Sequence, residues 1–225
     1  MAFPSRIRRM LNGVVPPLLV ALGSLLLTAG RQLVVERQRK RGLLGDVIVI
    51  AAVIGLAAFL EVKMGRNLTY QHGPVRVWSG DIRSDQNSQQ IADPYTFTHV
   101  IHGAAFYGLT RLVLRRSSFG LCAIIAMTLE AAWEVYENTD QVINRYRAET
   151  ISLGYYGDSV INSIADMLSC AAGLWLAWRL PKKVTIVWIV AVEVILAIWI
   201  RDNLTLNIIM LVHPINAIRS WQAGL

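Results

Sequence analysis

Ionisable and amide side chains recur at helical spacing inside three apolar stretches of the chain. The set comprises His99 and His102 in the first stretch, Glu130, Glu134 and Glu137 in the second, and Asp158, Asn162 and Asp166 in the third. Neighbouring members of each group are three or four residues apart, so each group falls on one face of a helix. Because ionisable groups are costly in a bilayer, their recurrence in adjacent apolar segments indicates a site rather than packing alone.

Imidazole nitrogens and carboxylate oxygens are ligands that zinc accepts, and a catalytic zinc keeps one position for water. One expectation is therefore a divalent metal, most simply zinc, with ligands drawn from His99, His102, Glu130, Glu134 and Asp158. A second is a metal-free acid–base site, in which one of several close carboxylates keeps its proton. A third is a hydrogen-bonded cluster that only fixes the packing of membrane helices.

If the set performs chemistry, we expect His102, Glu134, Asp158 and Asn162 to carry it or to hold the metal. The other members, His99, Glu130, Glu137 and Asp166, are then expected to support them. No G-x-S-x-G, Walker A, Rossmann glycine pattern or H-E-x-x-H occurs in the chain, so serine-hydrolase and nucleotide chemistry have no support.

Three arginines, Arg145, Arg147 and Arg201, lie near the predicted outer ends of these stretches. Arginine forms bidentate hydrogen bonds with phosphate, so they are candidates for binding a phospholipid or lipid-pyrophosphate headgroup. The alternative is that they anchor the chain at the membrane interface.

The elements that position these residues are apolar segments long enough to cross a bilayer. Of 225 residues, 54% are hydrophobic and only 16% are charged, against about a quarter in soluble domains. Candidate spans lie near residues 14–30, 44–63, 96–114, 119–138, 158–179 and 184–201. A further apolar stretch, Leu204–Val212, is too short to span and is expected to lie at the interface or to fold back.

Basic residues flank these segments, which explains the net charge of +7 without nucleic-acid binding. They gather before the second segment (Arg37, Arg39, Lys40 and Arg41), between the third and fourth (Arg111, Arg115 and Arg116) and between the fifth and sixth (Arg179, Lys182 and Lys183). All three groups fall on one side, which we assign to the cytoplasm. The loops 64–95 and 139–157 then face outward, and the three polar groups reach one depth at the outer side.

The sequence therefore predicts an all-α, polytopic transmembrane helical bundle with five core spans in a single membrane domain, residues 43–225. Residues 1–42 form an N-terminal extension, which either contributes a first span or lies on the inner leaflet. Cys122 and Cys170 fall inside predicted spans and are expected to be apolar fillers rather than a disulfide.

Four long strings resemble an uncharacterised family of bacterial inner-membrane proteins. They are NSQQIADPYTFTHVIHG (87–103), EAAWEVYEN (130–138), RYRAETISLGYYGDSVINSIAD (145–166) and RDNLTLNIIML (201–211). A more distant similarity is to VanZ-like membrane proteins, which are linked to glycopeptide resistance. It rests on His102 and Tyr107, Glu134, Arg147 and Ser152, and Asp158, Asn162 and Gly173.

The resemblance implies a multi-pass protein of the bacterial inner membrane. Together with the polar set, it leads us to expect an outward-facing intramembrane pocket that acts on a lipid or lipid-linked cell-envelope substrate, by hydrolysis or headgroup transfer. The alternatives are a non-catalytic binder or transporter, and a structural subunit whose polar cluster only fixes helix packing. The substrate and the oligomeric state are not fixed by the sequence.

Overall fold

The computed structural model describes residues 42–224, and every regular element in that range is a helix. The helices are α1 (Leu43–Lys63), α2 (Thr96–Val113), α3 (Phe119–Glu137), α4 (Asp140–Glu149), α5 (Val160–Arg179), α6 (Lys182–Ile200), α7 (Leu204–Val212) and α8 (Asn216–Ala223). The prediction of an all-α bundle is confirmed. The predicted N-terminal span, 14–30, lies outside the described residues.

The five long helices begin and end within two residues of the predicted core spans. Four of them, α1, α3, α5 and α6, are long and apolar enough to cross a membrane. The fifth, α2, is not among these four, because its 18 residues include two histidines and three threonines. The two histidines that lower the apolar character of α2 are therefore also candidate site residues.

The packing of the long helices puts α3 and α5 at the centre. α2 lies along α5, α1 lies along α3, and α3 and α5 contact each other. Small and flexible side chains fill the junction of α1, α3 and α5, including Ala57, Met127 and Met167. By contrast, α1 and α6 expose large apolar side chains on their outer faces, such as Ile48 and Ile198. Such faces are typical of helices that contact lipid.

Short helices cover one end of this bundle. The predicted outer loop 139–157 contains α4, whose first residue follows the N-cap Thr139 and whose buried face carries Val142, Ile143 and Tyr146. Their spacing of one, three and four residues is that of an amphipathic helix. The stretch Leu204–Val212 forms α7 with the predicted bounds, and α7 packs against α4.

The long connection between α1 and α2 is tied to the start of α5 by hydrogen bonds. The backbone N–H of Ser159 donates to the carbonyl of Ser88 at 2.9 Å, and its hydroxyl donates to the carbonyl of Gln89 at 3.0 Å. The Gln89 amide in turn donates to the carbonyl of Gly157 at 2.7 Å. These bonds fix residues 88–90 across the end of α5 where Asp158 and Asn162 lie.

Candidate functional site

Two histidines of α2 share one carboxylate of α3. Nδ1 of His99 lies 2.6 Å from Oε1 of Glu130, and Nδ1 of His102 lies 3.0 Å from Oε2 and 3.2 Å from Oε1 of the same residue. The three residues place one ligand atom each within 4.8 Å of one another, a spacing that suits a metal ion. Glu130 is completely buried, so its charge requires compensation from the groups that surround it.

Two more buried carboxylates contact His99 from either side. Oε1 of Glu134 lies 3.3 Å from Nδ1 of His99, and Oδ2 of Asp166, on α5, lies 3.8 Å from its Nε2. Oε1 of Glu134 and Oδ1 of Asp166 are buried and accept no hydrogen bond among the described residues. Three carboxyl groups thus converge on two imidazoles, which leaves the cluster with more acceptor oxygens than the imidazoles can pair.

Asp158, just before α5, is held by neutral donors rather than by the histidines. Its Oδ1 accepts from the Tyr155 hydroxyl at 2.9 Å, and its Oδ2 accepts from the Asn138 amide at 3.1 Å. The Asp158 backbone N–H donates to Oδ1 of Asn138 at 2.7 Å. Burial, with the nearby Asp158 carboxylate, raises the pKa of Tyr155 well above its ordinary value, so this hydroxyl stays a donor.

A cavity of about 380 Å³ lies against this cluster and has two kinds of wall. Its polar wall is formed by residues that the sequence singled out: His99, His102, Glu137, Asp158 and Asp166. Its apolar wall comes from α2, α3 and α7, with Phe106, Leu129, Trp133, Leu204, Ile208 and Leu211. The cavity is therefore polar on one side and apolar on the other.

A larger cavity of about 660 Å³ adjoins the first. Asn87, Ser152 and Tyr155 line both cavities, so the two share a boundary. The second cavity is enclosed by the loop between α1 and α2, by the segment after α4 and by α8.

The remaining predicted site residues lie outside the cavity walls. Glu130 and Glu134 contact His99 from behind, within the helix bundle. The Asn162 amide donates to the carbonyl of Gln90 at 3.0 Å and so holds the loop rather than facing the cavity. Of the eight residues in the predicted set, the structure brings His99, His102, Glu130, Glu134 and Asp166 together. Asp158, which was expected among the metal ligands, instead accepts from Tyr155 and Asn138.

The three predicted headgroup arginines bind backbone carbonyl groups. Arg145 donates to Leu211 at 2.8 Å, Arg147 donates to Tyr155, and Arg201 donates to Trp221 at 3.1 Å. None of the three lines either of the two cavities described above. In the structure these bonds join α4 to α7, α4 to the segment that follows it, and the turn before α7 to α8.

Several residues near the site were not singled out by the sequence. Asn138 stands four residues after Glu134, and this helical spacing was the available signal. Arg83, Arg219 and Gln222 line the second cavity, but they come from an irregular loop and from the C-terminal helix. No spacing in the sequence connects those two segments.

The chain matches a family model described as "Protein of unknown function (DUF2585)" over residues 61–224. It is 46% identical to a UPF0314 protein of Sinorhizobium fredii over 179 residues, which cover 80% of this chain and 91% of that protein. It is 42% identical to a UPF0314 protein of Rhizobium meliloti over 189 residues, 84% of this chain and 95% of that protein.

A UPF0314 protein of Paracoccus denitrificans is 47% identical over 173 residues, 77% of this chain and 90% of that protein. No solved structure matches the chain. The matched region contains all the residues of the His–carboxylate cluster and both cavities, and the family resemblance drawn from the four sequence strings is confirmed. The chain belongs to the DUF2585 family, whose bacterial relatives carry the name UPF0314.

Proposed function

We propose that this protein is a multi-pass enzyme of the bacterial inner membrane whose His–carboxylate cluster binds a divalent cation, most simply zinc. It acts on a lipid or lipid-linked cell-envelope substrate by hydrolysis or headgroup transfer. The observation that carries the proposal is the position of His99, His102 and Glu130 beside a cavity with one polar and one apolar wall.

The membrane location is supported by composition and by charge. Four helices are long and apolar enough to cross a bilayer, and the basic residues gather at one end of the long helices. With that end in the cytoplasm, His99 near the start of α2 and Glu137 at the end of α3 belong to the outer half. The cavity then faces the outer leaflet and the periplasm.

The cation is supported by the chemistry of the donor set. Glu130, Glu134 and Asp166 surround two imidazoles and offer more oxygen ligand atoms than the imidazoles can pair. His99, His102 and Glu130 would hold the ion, and a bound zinc would supply an activated water whose pKa is about 7. Oε1 of Glu134 and Oδ1 of Asp166, which accept no hydrogen bond among the described residues, are available to accept a proton or to orient His99.

The substrate class is supported by the two walls of the cavity. A hydrocarbon chain would pack on Phe106, Leu129 and Trp133, while the bond to be cleaved would lie toward His102 and Asp158. This arrangement keeps the acyl or prenyl chain away from water and exposes only the headgroup linkage to the polar wall.

Metal analysis of the purified protein tests the proposal. We expect about one zinc per chain in the wild type and in a His213→Gln variant, whose imidazole is exposed and remote from the cluster. The His102→Gln variant should lose the metal and should fail to restore the envelope-lipid profile of cells that lack the gene. Equal metal content in the two variants, or none in the wild type, would contradict the proposal.

A further inference from the structure

The second cavity, of about 660 Å³, has features of a binding site of its own. We call it the outer vestibule and define it by Arg83, Asn87, Ser152, Tyr155, Arg219 and Gln222. Among residues 42–224, two arginines and no acidic residue line it. Its wall at Asn87, Ser152 and Tyr155 is also a wall of the His–carboxylate cavity.

Arg83 gives the outer vestibule a positive charge, and Arg219 adds hydrogen-bond donors. Arg219 is held in place by an ion pair with Glu149 and by a hydrogen bond to the carbonyl of Ala148, both through its Nη2. Its other guanidinium nitrogens remain able to donate. The backbone N–H of Arg83 donates to the side chain of Asp81. The guanidinium of Arg83 has no hydrogen-bond partner within residues 42–224, so it is free for a ligand.

Gln222 supplies an observation of a different kind. Its side chain is 2% exposed, and its Nε2 donates to Oδ1 of Asp202 at 3.1 Å. Because a carboxylate only accepts, this bond fixes the orientation of the amide and points Oε1 away from Asp202. That oxygen is buried without a partner among the described residues, as is Oδ1 of Asn87 in the same lining.

Unpaired buried acceptors call for a ligand that donates hydrogen bonds. Two guanidinium groups call for an anion, and phosphate suits the planar fork of arginine. The combination of cations with amide oxygens therefore matches a phosphoryl group that carries hydroxyl groups, rather than a bare phosphate or a choline headgroup.

We propose that the outer vestibule binds the phosphoryl–polyol headgroup of a lipid, of which phosphatidylglycerol is the simplest example. Arg83 and Arg219 bind the phosphoryl oxygens, and Gln222 and Asn87 accept from the hydroxyl groups. The hydrocarbon chain crosses the shared wall and lies in the apolar part of the His–carboxylate cavity. This assignment rests on the proposed function and names the substrate class for the same site.

Binding of phosphatidylglycerol to the purified protein, measured by native mass spectrometry in detergent, tests this proposal without turnover. The test variant is Arg83→Gln/Arg219→Gln. The control is Arg115→Gln/Arg116→Gln, which removes the same charge from exposed residues between α2 and α3. We expect the test variant to bind at least about tenfold more weakly, because each charged hydrogen bond contributes on the order of tenfold. The control should bind like the wild type.

The acceptor oxygens are tested with Asn87→Leu, which changes a half-buried residue. We expect this variant to lose the preference for phosphatidylglycerol over phosphatidic acid, which lacks the headgroup glycerol. Equal binding by the two double-arginine variants would overturn the proposal. So would an unchanged preference in Asn87→Leu, or tight binding of phosphatidylcholine.

A competition experiment identifies whether the phosphoryl group comes from a lipid or from a soluble phosphate ester. Glycerol phosphate in solution should compete poorly with the lipid, because it makes no contact with the apolar wall. Competition at equal concentration would overturn the lipid assignment in favour of a soluble phosphate ester.

Chelation of the wild-type protein separates this proposal from the proposed function. The chelated protein should bind phosphatidylglycerol like the untreated protein, because the headgroup contacts lie in the outer vestibule and not at the metal. If the wild type holds no metal yet the arginine and Asn87 results stand, the chemistry is wrong and the headgroup site is right.

Discussion

Gly103 of α2 and Gly173 of α5 lie where the two helices approach backbone to backbone. A Cβ atom on Gly103 would come within 1.8 Å of the carbonyl oxygen of Cys170. A Cβ atom on Gly173 would come within 1.8 Å of the carbonyl oxygen of Val100. The crossing therefore admits no side chain from either position, and it is this close contact that brings His99 near Asp166.

Replacing either glycine with alanine should separate α2 from α5. The clashing atoms are backbone atoms of a packed helix, so the clash cannot be relieved by a rotamer change. We expect Gly103→Ala and Gly173→Ala each to lower the free energy of unfolding by about 3 kcal/mol or more. The measurement is the apparent melting temperature of the purified protein in detergent.

Gly108, on the same helix as Gly103, provides the matched control. A Cβ atom there meets no atom within 4 Å. Because alanine costs less backbone entropy than glycine in a helix, Gly108→Ala should be neutral or stabilising by about 0.5–1 kcal/mol. Similar melting temperatures for the Gly103→Ala and Gly108→Ala variants would show that the helices do not cross in this way.

The long helices could be predicted from the sequence because their ends carry an unmistakable chemical signal. α5 ends at Arg179 and α6 begins at Lys182, and an apolar run cannot continue through such a group in a bilayer. The crossing of α2 and α5 could not be predicted in the same way. Gly103 and Gly173 are two of 16 glycines. Gly173 also belongs to the VanZ-like similarity, but nothing in the sequence shows that either glycine lies at a close helix crossing and that Gly108 does not.

The candidate site, too, could be predicted from the sequence only in part. Helical spacing was sufficient to place His99 and His102 on one face and Glu130 and Glu134 on another, since a helix fixes the direction of each side chain. The partners of the arginines were harder to predict, because a long side chain can reach several different groups. Arg145 was a reasonable headgroup ligand by position, yet its guanidinium is bonded to the carbonyls that end α7.

Glu130→Gln should destabilise the His–carboxylate cluster. The carboxylate accepts from Nδ1 of both His99 and His102, whereas an amide offers one acceptor oxygen and a donor that faces the second imidazole. Removing one partner of a buried ionic cluster costs about 3–5 kcal/mol, so we expect a clear fall in melting temperature. Under the proposed function, chelation should lower the melting temperature of the wild type and leave that of Glu130→Gln unchanged.

The comparison variant is Glu149→Gln, which breaks the partly exposed ion pair with Arg219. Pairs of that kind contribute about 0–1 kcal/mol, so its melting temperature should stay close to the wild-type value. If chelation lowers the melting temperatures of the wild type and Glu130→Gln equally, the ion does not bind at this carboxylate. If chelation changes neither melting temperature, the cluster serves helix packing alone.

Replacing Gly157 should destabilise the protein because of the backbone conformation at this position. Its φ of +95° lies in the left-handed region, and a Cβ atom would come within 2.9 Å of Oδ1 of Asn138. That oxygen accepts from the backbone N–H of Asp158. We expect Gly157→Ala to cost about 1–3 kcal/mol through strain and through the loss of this bond. Gly154→Ala, three residues earlier in open space, should melt like the wild type.

Asp202 should make the stability of the protein depend on pH in an unusual direction. It lies between α6 and α7 and is fully buried, and this burial raises its pKa from 3.8 to about 6. Between these two values the folded protein holds a proton that the unfolded chain releases. Stability from this group is therefore complete below about pH 4 and falls as pH rises through 6, by up to about 3 kcal/mol.

The slope of the melting temperature against pH between 4 and 7 measures this contribution, and Asp202→Asn removes it. The variant should melt lower at every pH, because the new amide NH₂ faces two donors at either oxygen position. These are Tyr95 and Asn207 at one position, and Gln222 and the backbone N–H of Asn203 at the other. The slope of its melting temperature against pH, however, should be less negative than the wild-type slope, since the variant loses no proton from residue 202. Parallel slopes would mean that the four hydrogen bonds received by Asp202 keep it ionised at low pH and outweigh its burial.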